Sequence, residues 1–430
     1  MKHINNYFIQ LKSYAKRYLS KSLFSSQKLL KWLVIGTAIG LIVGVVGSIF
    51  SHALTFANHF RAQYPQVILA LPLGGLLIVF LYRFFKNTGD KGTNMVITSI
   101  HSSNDIPFKM APLIFISTVI THLCGGSAGR EGAAIQIGGS IANRLGKMIR
   151  LNEDDQHIII MCGMSAGFSA LFGTPMAAAI FSLEVVCIGI MQYSALVPCV
   201  TAAMIAHFVA DFFKVLPETF VVAEVPEMTA VNFLKMIPFA VLVGGVSIGF
   251  CIILHTAERM YKKYLKNPFI RIFVAGCIVI LLTMILRTDF YLGSGMNIIE
   301  HIFEMGDTEG YTFLLKMAFT ALTLGAGFKG GEIVPSFCIG AAFGCVTAFL
   351  LGLPTALVAA CGMVGVFCGV TNCPLTSLLI AFELFGFEGM PYYLITIAVS
   401  YRISGYYGLY RGQKIMCSKT ETQFVNITAH

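Results

Sequence analysis

Residues 163–184, GMSAGFSALFGTPMAAAIFSLE, return in altered form as GMVGVFCGVTNCPLTSLLIAFE at 362–383. The two stretches share Gly-Met at the start, a proline in the middle (Pro175, Pro374) and a glutamate at the end (Glu184, Glu383). Two shorter likenesses keep the same order. Gly92-Thr93-Asn94-Met95-Val96 resembles Gly295-Met296-Asn297-Ile298-Ile299, and Gly129-Arg130-Glu131-Gly132-Ala133 stands opposite Gly331-Glu332-Ile333-Val334-Pro335. The offsets are 199, 203 and 202 residues. A recurring helix-packing motif of small residues explains one such pair. Three pairs in order at nearly constant spacing require a duplicated chain, with halves at about 30–215 and about 232–415.

The surroundings of these motifs are apolar. Of 430 residues, 56% are hydrophobic and only 12% charged, and the mean hydropathy is +0.76. Soluble domains carry about 25% charged residues, so the deficit indicates a polytopic membrane protein. Apolar runs stand at 29–55, 67–85, 109–124, 157–190, 195–214, 232–255, 270–286, 311–327, 354–370 and 391–400. A spanning helix needs about 20 residues. Several runs are shorter than that or cut by Gly or Pro, which predicts broken helices, tolerated only inside protein or along a cavity. The expected architecture is an all-α membrane domain over 29–416, a cytoplasmic segment at 1–28 and a cytoplasmic tail at 417–430.

The N-terminal stretch carries Lys12, Lys16, Arg17, Lys21, Lys28 and Lys31, and its apolar run starts late and lacks a small-residue cleavage site. It reads as a basic amphipathic segment, not a signal peptide. The net charge of +9 gathers at 2–31, 143–150, 259–271 and 402–419, which is no nucleic-acid signal, while Asp211, Glu218, Glu224 and Glu227 make 211–227 acidic. The positive-inside rule then puts both termini in the cytoplasm and the acidic stretch outside. The twelve cysteines form no CxxC pair and no Cys/His cluster, so packing is their expected role. No metal or cofactor is predicted.

Each repeated motif is a Gly-bearing loop leading into an apolar helix. Glycine lets a ligand approach the backbone closely. The first amides of the helix lack partners and, with the macrodipole, present roughly half a positive charge. That makes an anion site without a fixed cation. Such a site suits conduction, which needs binding strong enough to admit an ion and weak enough to release it. In a duplicated membrane protein the site is expected near the midplane, where the halves meet. Glu131 fits there. An ionisable residue at membrane depth costs about 2.5–3.5 kcal/mol on insertion scales and is a functional candidate by default. Ionised, its carboxylate can occupy the anion site; protonated or displaced, it can swing away. Burial opposes its ionisation and nearby amides favour it, so its protonation can follow pH.

The stretches GGSAGREGAAIQIG, GTPMAAAIFSLE, GAGFKGGEIVPSFCIGAAFG and VTNCPLTSLLIAFELFG resemble the signatures of the CLC family of anion channels and anion/proton antiporters, and the likeness covers about 90–386. The resemblance implies two inverted-topology repeats per subunit and a homodimer with a separate pore in each subunit, in the cell membrane. It implies chloride or a similar halide as the transported ion, protons as a second partner, and no nucleic acid. Glu131 in GREG matches the gating glutamate, with Gly129, Arg130 and Gly132 around it as part of the anion site. Ile333 and Val334 fall in the helix start that contributes amides, and Thr93 in the motif whose side chain reaches the central ion. Tyr410 is the choice for the ion-coordinating tyrosine, with Tyr406 and Tyr407 as rivals.

The departures bear on selectivity and coupling. Ala133 stands where the family usually has proline, and GTN replaces the common GSGIP. Ile333 replaces the aromatic found in most chloride carriers. Asn94 and the GGE at 330–332 resemble the fluoride-exporting branch, which usually has Met at the place of Thr93 and Thr at that of Val334. The second glutamate that passes protons inward in chloride/proton antiporters is absent, because Glu184 is followed by Val185. By that test the protein is a glutamate-gated halide pore that works as a passive channel or an uncoupled carrier. The fluoride branch lacks the same residue yet exchanges protons, so fluoride/proton antiport is the alternative. Glu184 and Glu383 are expected to satisfy helix ends. Lys329 and Glu332 read either as an ion pair at a vestibule mouth or as a basic lure. A serine hydrolase centred on Ser127 is the rival class, but His122 is too near in sequence to be a facing base, and a hydrolase leaves the duplication unexplained. A cation transporter would want acidic groups and carbonyls at its centre instead of amides.

Overall fold

The computed structural model describes residues 2–87, 92–102 and 105–429, with side chains from residue 26 onward. The first half comprises α1 (Lys2–Gln63), α2 (Leu71–Phe84), α3 (Thr93–Ser99), α4 (Met110–Leu123), α5 (Glu131–Met148), α6 (Glu153–Phe172), α7 (Pro175–Glu184) and α8 (Leu196–Phe212). The second repeats that order as α9 (Ala230–Tyr264), α10 (Pro268–Leu286), α11 (Met296–Met305), α12 (Thr312–Ala326), α13 (Ile333–Leu351), α14 (Thr355–Thr371), α15 (Pro374–Phe385) and α16 (Met390–Ile403). Among the described residues each half holds eight helices. The basic residues Lys12, Lys16, Arg17 and Lys21 lie outside the described side chains.

The break inside each long repeat is set by local chemistry. Asn152 caps α6, accepting from the Asp155 amide at 2.8 Å, and Glu153, Asp154 and Asp155 fill the first turn. Gly173, left-handed at φ 72°, ends α6, and Pro175 opens α7. In the second half Asn372, at φ 60°, ends α14 and Pro374 opens α15. Asn372 holds this unusual turn because its Nδ2 donates to the Tyr407 carbonyl and to Gln413 Oε1, each at 3.1 Å. The apolar run 157–190 is thus two helices.

The centre of the molecule is α5, α6, α13 and α14, and each half builds its part the same way. α5 packs on α6 and α13 on α14. Gly138 lies against the Gly163 carbonyl, and Gly340 against that of Gly362, so neither contact has room for a Cβ. Small residues let these backbones touch. α1, α9 and α10 turn large apolar side chains outward, among them Leu30, Phe56, Leu242 and Leu281. Six of the described helices are long and apolar enough to cross a membrane.

Across the halves, α2 packs on α10, α5 on α13 and α7 on α15, each helix against its own counterpart. Glu184 at the end of α7 accepts from the Leu375 and Thr376 amides at the start of α15, at 3.0 and 2.8 Å. Glu383 at the end of α15 accepts from the Met176 and Ala177 amides of α7, both at 2.9 Å. The two helices therefore run antiparallel. A two-fold axis along them would leave counterparts parallel, so the axis lies across them and the repeats are inverted. The helix-end role read for Glu184 and Glu383 is what the bonds show. It also removes the starts of α7 and α15 from the set of amides open to an ion.

The all-helical plan has one small exception. β1 (Cys187–Ile188) pairs in parallel with β2 (Lys414–Cys417), which pairs antiparallel with β3 (Phe424–Thr428). The boundary expected at 416/417 falls inside β2, and the Ala429 amide donates to the Gln413 carbonyl at 3.1 Å. The stretch read as a tail folds back because Ile415 and Ala429 find apolar cover there. Nine of the twelve cysteines are buried, as packing residues should be.

Candidate functional site at the paired starts of α5 and α13

Gly129 and Gly331, matched residues of the two repeats, form an antiparallel bridge. The Gly129 amide donates to the Gly331 carbonyl at 2.6 Å, and the Gly331 amide returns the bond at 2.7 Å. A Cβ on Gly129 would stand 3.0 Å from the Gly331 carbonyl oxygen, so glycine permits this approach. The bridge brings the first turns of α5 and α13 together. Both turns carry unpartnered amides and the positive end of a helix dipole.

Glu131, the first residue of α5, has no solvent exposure. Its Oε2 accepts from the Arg130 amide at 3.0 Å and, across the repeat boundary, from the Val334 amide at 3.3 Å. Its Oε1 makes no hydrogen bond and lies 3.8 Å from Arg130 Nε. The carboxylate therefore sits where two helix starts would hold an anion. Arg130 Nη2 forms its own ion pair with Glu218.

The other predicted residues gather around Glu131 and the start of α13. Thr93 Oγ1 donates to the Gly132 carbonyl at 3.4 Å and accepts from Gln136 Nε2 at 3.3 Å. Ile333 and Val334 are fully buried in the first turn of α13. Tyr410 is buried with its hydroxyl unbonded, and Glu332 and Glu131 are both among its charged neighbours. The rivals lie elsewhere. The Tyr406 hydroxyl bonds to Ser418 at 3.0 Å, and Tyr407 is 37% exposed. Asn94 Oδ1 accepts from the Gly412 amide at 2.8 Å and so ties the Tyr410 loop to α3.

A cavity of about 910 Å³ leads to this region. Thr93, Asn94, Gln136, Gly330 and Glu332 line its inner end, and Arg83, Lys262, Arg271, Lys329 and Arg411 give it a basic wall. Lys329 Nζ lies 4.3 Å over the Tyr82 ring. Glu332 is the residue that sequence reasoning leaves undecided. It is half-buried at the start of α13, with Oε2 shielded and unbonded, and it lines the cavity. Its only sequence signal is the Gly-Gly-Glu run itself.

Ser127 is fully buried. Its Oγ lies 3.1 Å from Thr320 Oγ1 and accepts from Lys316 Nζ at 3.1 Å. Lys316 also donates to the Tyr291 and Gly293 carbonyls at 3.2 and 2.8 Å. The His122 ring bonds the Gly129 carbonyl, not the serine. Ser127 therefore braces the loop before Glu131.

Inverted repeats meeting at paired helix starts define a membrane protein whose centre is built for negative charge, and hence one that transports anions. Residues 74–405 match the family described as voltage gated chloride channel. The chain belongs to that family, the CLC proteins. A chloride/fluoride channel protein of Pseudomonas syringae pv. tomato is 37% identical over 396 residues, 90% of this chain and 87% of the relative. Among solved structures, a CLC-type fluoride/proton antiporter is similar with a TM-score of 0.87 at 36% identity, over 90% of this chain and 98% of that one. A slow cyanobacterial Cl⁻/H⁺ antiporter shares the fold, with a TM-score of 0.77 at 20% identity over 87% and 94% of the two chains.

Proposed function

We propose that this protein exchanges fluoride for protons across the cell membrane, with Glu131 as the group that both gates the anion path and carries the proton. The observation that carries the reading is the Glu131 carboxylate on the Val334 amide. An anion arriving there must displace it, and a displaced carboxylate is free to take a proton. The likeness to a fluoride/proton antiporter over nearly its whole chain supports fluoride, as do Asn94 and the Gly-Gly-Glu run. Thr93, Gly132, Ile333, Val334 and Tyr410 surround the ion; Gly129 and Arg130 hold the α5 start in place.

Proton coupling needs a second stopping point. Val185 cannot supply it, but Glu332 can. It is a half-buried carboxyl with one shielded, unbonded oxygen, among the charged neighbours of Tyr410 and in the wall of the open cavity. A proton leaving Glu131 reaches the cavity by way of Glu332. Both termini and the basic cavity face the cytoplasm, following the lysine and arginine distribution. The protein works as a homodimer with an independent pore in each chain.

A second reading, passive chloride flow, rests on Thr93. Its hydroxyl, which here makes a long bond to the Gly132 carbonyl, can turn its hydrogen to a larger halide where the fluoride branch usually has Met.

Purified protein in liposomes loaded with fluoride, chloride or potassium distinguishes these readings. Fluoride efflux with matched proton uptake is expected. Chloride efflux without proton movement would establish the second reading, and potassium leak without anion flux would end both. Glu131→Gln should abolish proton uptake and flatten the pH dependence while anions still pass.

A further inference from the structure

Residues 213–229 join the two halves, and they fold back over the ends of α6 and α15. The Phe220 amide donates to the Leu384 carbonyl at 2.9 Å. The Phe220 ring stacks 4.8 Å from Phe303 and lies 6.1 Å from Phe385. Val222 is buried, and Pro217 fills the space beside Gly173. These anchors set Glu218 onto Arg130, as an ion pair between Glu218 Oε1 and Arg130 Nη2. The same guanidinium has Nε 3.8 Å from Glu131 Oε1, an oxygen with no hydrogen bond. One arginine thus stands between two carboxylates and is engaged by the linker's.

We propose that Glu218 is a positioning residue for the gate: by holding Arg130, it keeps the guanidinium from closing on Glu131 and leaves Glu131 able to take a proton and quit the α13 amides. The inference rests on the reading of Glu131 as the gate. Its physics is a competition. Arginine stays charged at any working pH and makes its strongest bonds to carboxylates that are shielded from water. Whichever carboxylate holds it is stabilised in the ionised form. Glu218 also places a negative charge near Glu131, which disfavours a second. Both effects favour proton uptake at Glu131. The other groups facing them are Glu300 beside Glu218, Tyr410 beside Glu131, and His122 beside Arg130.

The test is fluoride flux from liposomes carrying the full chain, at equal pH on both sides, across the acid-to-neutral range. Removing the Glu218 charge lets Arg130 hold Glu131 ionised. Glu218→Gln should therefore move the pH of half-maximal flux down by about one unit. At neutral pH the flux should fall by about tenfold. Arg130→Gln should move the profile up, and Glu218→Gln added to it should produce less than half of its effect alone. Glu218→Asp keeps the charge and should restore most of the neutral-pH flux, which a merely structural role would not predict. A Glu218→Gln profile that overlies the parent's, moves upward, or moves as far without Arg130 overturns the inference. Glu131→Gln separates the two claims. If it flattens the profile while Glu218→Gln leaves the profile in place, only the inference fails; if it leaves the profile unchanged, the gate reading fails and takes the inference with it.

Discussion

Ser127 in the loop before α5 and Glu131 at the first position of that helix stand four residues apart, and burial alone does not tell them apart. Their bonding does. Ser127 is held on three sides, by the Thr323 hydroxyl at its amide and by Thr320 and Lys316 at its own hydroxyl. Glu131 spends one oxygen on backbone amides and leaves the other free of hydrogen bonds. A brace and a moving group differ in this way. Ser127→Ala leaves Lys316 short of one acceptor, a loss worth about 1–3 kcal/mol. It should lower the melting temperature in detergent while anion flux persists; complete loss of flux in a protein that still folds would assign Ser127 a chemical role. The importance of Glu131 is legible in the sequence because an acid in an apolar, duplicated stretch has few bland explanations. Glu218 is not. In the sequence it is one acid among several in a polar linker, and its partner Arg130 lies 88 residues away.

At the scale of elements, the sequence marks the helix breaks better than it marks their use. Gly-Thr-Pro and Asn-Cys-Pro announce the ends of α6 and α14. That the starts of α7 and α15 are then consumed by Glu383 and Glu184 follows only from the helices lying side by side. The glycine contacts give a sharp test. Gly340→Ala drives a Cβ into the Gly362 carbonyl, and Gly138→Ala does the same at Gly163. Each should destabilise by about 1–3 kcal/mol, as overpacking does. Gly245→Ala has nothing within 4 Å of the new Cβ. It should be neutral or slightly stabilising, since alanine favours a helix by up to about 1 kcal/mol over glycine. Thermal unfolding of the three variants compares them directly, and equal melting temperatures would contradict close packing at the centre.

At the scale of the whole molecule, charge distribution predicts sidedness. A protease site placed at residue 224 should be cut only from outside intact cells, and one at residue 266 only after the membrane is opened. Cleavage of both from one side would refute the assigned topology. What the sequence determines by itself is what depends on short spacing: an apolar chain, its duplication, the punctuation of its helices, and the candidate gate. Each is written in neighbouring residues, through periodicity, turn chemistry or the cost of an acid in lipid. The tertiary structure alone decides which helix starts meet, that the Tyr410 loop is pinned to Asn94, that Glu332 faces the cavity, and that the linker returns to grip Arg130. Those contacts join residues tens to hundreds of positions apart, and their pairing is selected by the packing of two inverted halves, which no local pattern encodes.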